Sequence, residues 1–321
     1  MTHRLLSLAT VLAVALGASG CGLAKRAAVS FVYDRADLPD ANVVADQPYR
    51  DTGDPKHRYN LFLPLADSVQ AAPWPTVVFV HGGGWTEGDR DYRFGGADVY
   101  NNIGRLFAGH GVGAATISYR LQPGVTWREQ LSDVAAAVAA IRADVAARGG
   151  DADGLVLSGH SAGAYFATRL AVDAEAQRAA GIAEGAVCGV LPVSGAALDL
   201  RDRESFEIGD NYDYYLARFA PPGTPVTNTP PAEPAPWQAE ASVVPLVRAG
   251  LPPMHVVWAE GDYPALIRQN ELFVGALGAA GVPVTTTLVP GSSHFRIVPT
   301  MSRTDRVAGR AMVDFVRGLD C

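Results

Sequence analysis

The chain of 321 residues has almost no lysine: Lys25 and Lys56 are the only two. Arginine carries the remaining positive charge, and the formal net charge is -7 at pH 7. With no basic stretch to set against a phosphate backbone, a nucleic-acid partner is excluded. Cysteine is nearly as scarce, with Cys21, Cys188 and Cys321 alone. None of the three has the close spacing of a metal site, so neither metal nor cofactor is expected. No apolar run reaches the roughly 20 residues that a membrane span needs, and no internal repeat is present. What remains is a chain that is 48% hydrophobic, enough to bury a large core in one α/β domain of roughly 280 residues.

The N-terminus departs from that pattern. His3 and Arg4 precede an apolar run from Leu5 to Leu16, and small residues follow at Gly17, Ala18, Ser19 and Gly20. Charged, apolar and small-residue regions in that order make residues 1–20 an export signal. The "ASGC" that ends it resembles the bacterial lipobox, which implies cleavage before Cys21, lipidation of that cysteine and a lipid anchor on the cell envelope. Ala18 stands where leucine is usual, so plain secretion to the periplasm or medium stays open. Residues 21–56 read as a tether and lead-in. Cys188 lies in "GAVCGVLPVSG", a core strand in which a free thiol packs as a small apolar residue. An exported protein also permits a Cys188–Cys321 disulfide, but the free thiol is the favoured expectation.

From residue 57 onward, short apolar runs alternate with helical patterns. Strands are predicted at Tyr59–Pro64, Thr76–Val80, Gly113–Ser118, Leu155–Ser158, Ala186–Val193, Met254–Ala259 and Val284–Val289. Helices are predicted at Asp98–Gly109, Thr126–Arg148, Ala162–Glu175, Pro264–Ala280 and Arg303–Leu319. The runs around Val77, Val156 and Val256 lack clean alternation, as strands covered on both faces do. The alternation implies a mostly parallel sheet with helices on both faces. Residues 200–250 interrupt it. Ala220 to Pro236 holds seven prolines, which rules out a regular element there. The aromatic-rich stretch before it makes this insertion either a tolerated surface excursion or a partial lid using Tyr212, Tyr214, Tyr215 or Phe219.

Two glycine-bearing turns carry the chemistry. "LVLSGHSAGAYF" runs a strand into Gly159-His160-Ser161-Ala162-Gly163 and directly into a helix. That is G-x-S-x-G in a strand–turn–helix setting, which lifts Ser161 above the sheet. Eighty residues earlier, "VVFVHGGGW" runs another strand into His81, three glycines and Trp85. Three residues without side chains cost conformational entropy, so bare backbone is needed there.

Together the two turns resemble the α/β-hydrolase superfamily, in the esterase–lipase branch with an HGGGW-type motif. That branch includes hormone-sensitive-lipase-like, feruloyl-esterase-like and kynurenine-formamidase-like enzymes. The resemblance runs from about Tyr59 to the C-terminus and is vague in the proline-rich insertion. It implies an α/β-hydrolase fold and an oxyanion hole from the N–H groups of Gly83, Gly84 and Ala162, with the glycine assignment open by one position. It also implies the chain order Ser, acid, His. His255 and His294 are the histidines after Ser161. His255 opens a strand, at the wrong end of the sheet, whereas His294 lies in a Gly/Ser loop after one. His294 is therefore the expected base. Asp262, after "VVWAE", is the preferred acid, with Glu260 and Asp199 as alternatives. His81 and Trp85 are expected to hold the glycine loop, and Asp133 to pair with an arginine.

The expected activity is hydrolysis of a small-molecule carboxylic ester through a Ser161–His294–Asp262 triad and an acyl-enzyme. Activity should fall below about pH 6.5, where a free imidazole is protonated. An arylformamidase, a serine peptidase and a non-catalytic binding protein remain as rivals. Acyl length and oligomeric state leave no signal.

Overall fold

The computed structural model describes residues 38–69, 73–94 and 97–321. Residues 1–37, which hold the expected export signal, Cys21 and the first part of the tether, lie outside the described residues. Among those described, no helix is long and apolar enough to cross a membrane.

The strands are β1 (Val43–Pro48), β2 (Arg58–Phe62), β3 (Trp74–Val80), the short pair β4 (Arg93–Phe94) and β5 (Ala97–Asp98), β6 (Gly113–Ile117), β7 (Gly150–His160), β8 (Val187–Val193), β9 (Met254–Gly261) and β10 (Val284–Ser293). Eight of them form one sheet in the order β1-β2-β6-β3-β7-β8-β9-β10. β2 runs antiparallel to both neighbours, and the strands from β6 to β10 are parallel. The helices are α1 (Val99–Gly109), α2 (Trp127–Ala147), α3 (Ala162–Val172), α4 (Ala174–Ala179), α5 (Arg203–Gly209), α6 (Tyr212–Phe219), α7 (Pro236–Ala241), α8 (Pro264–Ala279) and α9 (Val307–Arg317).

The run Val77-Val78-Phe79-Val80 is wholly buried because each face of β3 is covered. Side chains alternate sides along a strand. Val77 and Phe79 pack with Ile103 and Phe107 of α1 and Met312 of α9. Val78 and Val80 pack with Val134 and Val138 of α2 and Phe166 of α3. α2 starts where its sequence says it should. Thr126 and Glu129 form a reciprocal capping box, which satisfies two otherwise orphan N–H groups.

Parallel strands bring their carboxyl ends to one edge. Val80 pairs with Gly159, His160 with Val193, and Gly261 with Ser293. The loops after β3, β7, β8, β9 and β10 therefore gather there.

Four expectations need correction. Residues 43–48, assigned to the tether, form edge strand β1; its bulge between Val44 and Gln47 and its Asp46 at φ 57° hide it from pattern reading. The helix expected over Ala162–Glu175 ends at Val172. Asp173 restarts the chain as α4, accepting from the Ala176 N–H at 3.0 Å. The last helix begins at Val307 rather than Arg303. Cys188 is not a free thiol: it is bonded to Cys321, with the Cα atoms 5.5 Å apart. The bridge ties β8 to the segment after α9.

The insertion is not extended coil throughout. α5, α6 and α7 flank the proline-rich stretch, which has no regular element, as expected. α7 is bound to α3: the Tyr165 hydroxyl donates to the Ala241 carbonyl at 2.9 Å, and Arg169 donates to the Glu240 and Ser242 carbonyls at 2.8 and 2.7 Å.

Candidate active site

Ser161 occupies the turn between β7 and α3 at φ 56°, ψ -118°. A non-glycine residue there is strained by about 1–3 kcal/mol, and surrounding structure has to hold it. Its N–H donates to the Val193 carbonyl at 3.0 Å, and its carbonyl accepts from Tyr165 N–H at 3.1 Å. Glycine at 163 is required by close approach, because a Cβ there would stand 2.0 Å from the Val80 carbonyl oxygen. The turn is thereby wedged against the end of β3.

The glycine loop leaves β3 and meets this turn. A Cβ placed on Gly82 would be 3.4 Å from the Ser161 Cβ, so the two glycine-bearing segments touch. Gly83, Gly84 and Trp85 have φ of 124°, 56° and 68°. Among the described residues, no backbone acceptor takes the N–H of Gly83 or Gly84. His81 stacks on Tyr119 with ring centroids 4.3 Å apart, and its Nδ1 donates to the Gly82 carbonyl at 2.7 Å. Burial pushes the His81 imidazole down to about 4. Trp85 is buried against Tyr165, Tyr215 and Phe219. Both residues brace the loop.

His294, just after β10, brings its Nε2 to 3.0 Å from Ser161 Oγ. Its Nδ1 donates to Asp262 Oδ1 at 2.9 Å. Asp262 follows β9 and is buried. Burial works to raise its carboxyl, but the His294 hydrogen bond and charge, the nearby Ser194 hydroxyl and the Tyr263 N–H outweigh it, and the carboxyl lies below its ordinary value. An ionised Asp262 holds the proton of His294 on Nδ1 and leaves Nε2 free to accept from the serine. His160 sits beneath, its Nε2 donating to the His294 carbonyl at 2.9 Å. Burial, helped by the neighbouring His294, pushes His160 down to about 3, so it stays neutral.

The alternatives lie elsewhere. Glu260 accepts from the Gly291 N–H at 2.8 Å. Asp199 is paired with Arg201 at 2.8 Å. His255 bonds Thr285 and Thr287 at 2.7 and 3.0 Å, toward the amino end of β9. Asp133 pairs with Arg120 at 2.7 Å.

Sequence reading missed two neighbours. Ser194, at φ 48°, is buried, and its hydroxyl lies near enough to the Asp262 carboxyl to help lower it. Arg218 of α6 donates from Nε to the Gly84 carbonyl at 2.9 Å and lies 3.4 Å over the Tyr214 ring. Neither belongs to a recognisable motif; only folding brings them to the site. The insertion thus contributes Tyr214, Tyr215, Phe219 and Arg218 to the surroundings of the glycine loop.

An eight-stranded, mostly parallel sheet with a serine on a strained strand–helix turn, a histidine and an aspartate on later loops defines an α/β hydrolase with a serine-centred site. The chain belongs to the alpha/beta hydrolase fold family, whose profile matches residues 77–297. It is similar to Esterase LipC of Mycobacterium tuberculosis, 30% identical over 69% of this chain and 53% of that protein. It is also similar to Carboxylesterase NlhH of the same organism, 29% identical over 76% of this chain and 74% of that one. A probable isoprenylcysteine alpha-carbonyl methylesterase of rice is 26% identical over 75% of this chain and 55% of its own length. The chain thus spans about half the length of LipC and of the rice protein. Among solved structures, Esterase B from Lactobacillus rhamnosis superposes with a TM-score of 0.69 at 24% identity, covering 92% of this chain and 95% of that one. A truncated carbohydrate esterase from gut microbiota gives 0.66 at 16% identity, with 88% and 96% covered. The structural likenesses speak to the fold.

Proposed function

We propose that the protein is a serine carboxylesterase. The observation that carries this reading is the continuous hydrogen-bonded chain from Ser161 Oγ through His294 to Asp262, set against the Gly83 and Gly84 N–H groups, which no backbone acceptor among the described residues takes. Ser161 Oγ attacks the ester carbonyl carbon while its proton passes to His294 Nε2. The carbonyl oxygen takes the negative charge and is held by the N–H groups of Ala162 and of Gly83 or Gly84. Fixed donors of this kind contribute roughly 10²–10³ in rate each. As the tetrahedral centre collapses, the bond to the alcohol oxygen breaks and His294 gives that oxygen its proton. Water then attacks the acyl-serine, again surrendering a proton to His294, and the acid leaves with Ser161 restored. Asp262 keeps the imidazole oriented and stabilises its charged form. These steps use only ester, water and the chain's own residues.

The test is hydrolysis of p-nitrophenyl acetate by the purified protein with Ser161→Ala as blank. Activity lost in the variant, together with fluorophosphonate labelling of wild type alone, is expected. Equal hydrolysis by both proteins refutes the assignment.

We also propose export and a lipid anchor at Cys21. The lipobox-like "ASGC" supports it, as does a Cys188–Cys321 disulfide, which suits an oxidising compartment. Incorporation of labelled palmitate by cells making the protein, abolished in Cys21→Ser, is the expected result; unlabelled wild type refutes it.

A further inference from the structure

Large apolar side chains left in water beside a reactive centre call for an explanation. Tyr263 is 53% exposed and Phe295 70% exposed. Each directly follows a member of the Ser161–His294–Asp262 chain, Tyr263 after Asp262 and Phe295 after His294. Both rings border the same imidazole. The Tyr263 ring centroid is 5.3 Å from that of His294, and the Phe295 centroid is 5.2 Å away, nearly perpendicular at 84°. Their backbone is tied to the site by its neighbours. The Tyr263 N–H donates to Asp262 Oδ1 at 2.8 Å, and Phe295 follows the bonded His294.

The side of the substrate they would meet follows from the reaction, so this inference rests on the esterase reading. His294 Nε2 must protonate the departing alcohol oxygen, which places the alcohol next to this imidazole. Tyr214, an aromatic of the insertion, is elsewhere: its hydroxyl lies against Gly84, where a Cβ would be 2.4 Å from it. The exposed rings therefore belong to the alcohol side rather than to the oxyanion loop.

We infer that Tyr263 and Phe295 form an alcohol-side subsite that selects esters whose alcohol carries a ring with an apolar face. An aromatic ring and the C–H face of a sugar ring share the needed chemistry, a broad apolar face that packs on tyrosine and phenylalanine. A ring pair of this kind gives roughly a two- to tenfold preference in kcat/KM per contact.

The experiment compares 2-phenylethyl acetate with n-butyl acetate, whose alcohols are similar in acidity, and with ethyl phenylacetate, which moves the ring to the acyl side. A methyl glycoside carrying one acetyl group forms the sugar arm. The proteins are wild type, Tyr263→Phe, Tyr263→Ala, Phe295→Ala and the double alanine variant. The expected result is a preference for a ring on the alcohol. Read as kcat/KM relative to ethyl acetate in the same protein, it persists in Tyr263→Phe, drops in each alanine variant and disappears in the double variant. The arm that shows this dependence names the ring. No preference in either arm, or a preference that survives the double variant, overturns the subsite while leaving the esterase reading intact. Loss of all acetate hydrolysis relative to the Ser161→Ala blank would instead remove the esterase reading on which it stands.

Discussion

Mild acid should destabilise this protein before any carboxylate is protonated. His81 and His160 are both fully enclosed, one behind the glycine loop and one under the serine turn, and burial lowers them to about 4 and about 3. In the unfolded chain each titrates near 6.5. Between those values the unfolded state binds the extra protons, so stability is complete above pH 6.5 and falls as pH drops toward the folded values. Going from pH 6.5 to pH 5 removes about 1.5 kcal/mol for each ring, roughly 3 kcal/mol for the pair. That is a large fraction of a typical 5–15 kcal/mol. His255, also lowered by burial, acts in the same direction. The assay is urea unfolding in steps from pH 7.5 to 5, with the slope of stability against pH giving the protons taken up. At least two are expected near pH 5.5, and about one fewer in His160→Asn. Proton NMR of the wild-type ring C–H signals supplies a check that needs no variant, since both imidazoles should remain neutral at pH 5. A flat stability profile across this range, or a ring charged at pH 5.5 in the folded protein, would refute the argument. The consequence reaches the active site: the His160 and His294 ring centroids are 4.7 Å apart. A charge on His160 would oppose the imidazolium that the reaction needs.

Other consequences follow from single contacts. Gly163→Ala sets a methyl against the Val80 carbonyl, which is backbone and cannot swing aside, and should lower the urea midpoint by the equivalent of about 3 kcal/mol or more. Asp262→Asn should leave the melting temperature nearly unchanged but cut kcat by about 10³–10⁴, because the imidazole loses its orienting anion; a loss under tenfold would point to a different acid. Arg218→Met removes the donor to the Gly84 carbonyl while keeping an apolar stem. A fall in kcat of about tenfold with little change in KM is expected, since the loop acts on charge that develops only in the transition state. The Cys188–Cys321 bridge closes a loop of 133 residues, for which chain entropy predicts a stabilisation of about 5 kcal/mol. Calorimetry of the double serine variant, with reduced wild type beside it, should show a matching loss in both.

The sequence by itself determined the layered α/β architecture, because periodicity is local: strands buried on both faces read as apolar runs, and α2 shows its stripe at three- and four-residue steps. It also marked Ser161 and the glycine loop, since a nucleophile turn and a bare-backbone loop need particular residues at fixed spacing, and the family resemblance pointed from there to His294 and Asp262. It did not decide what depends on distance in space. Edge strand β1 is bulged and has no fully buried residue, so it has no apolar pattern to read. The disulfide joins residues whose thiols meet only once β8 and the segment after α9 pack together. Ser194 behind Asp262, Arg218 on the Gly84 carbonyl, and the two exposed rings beside His294 belong to no motif. Each gains its meaning from a neighbour remote in the chain, and parallel strands, by carrying distant loops to one edge, create those neighbours only on folding.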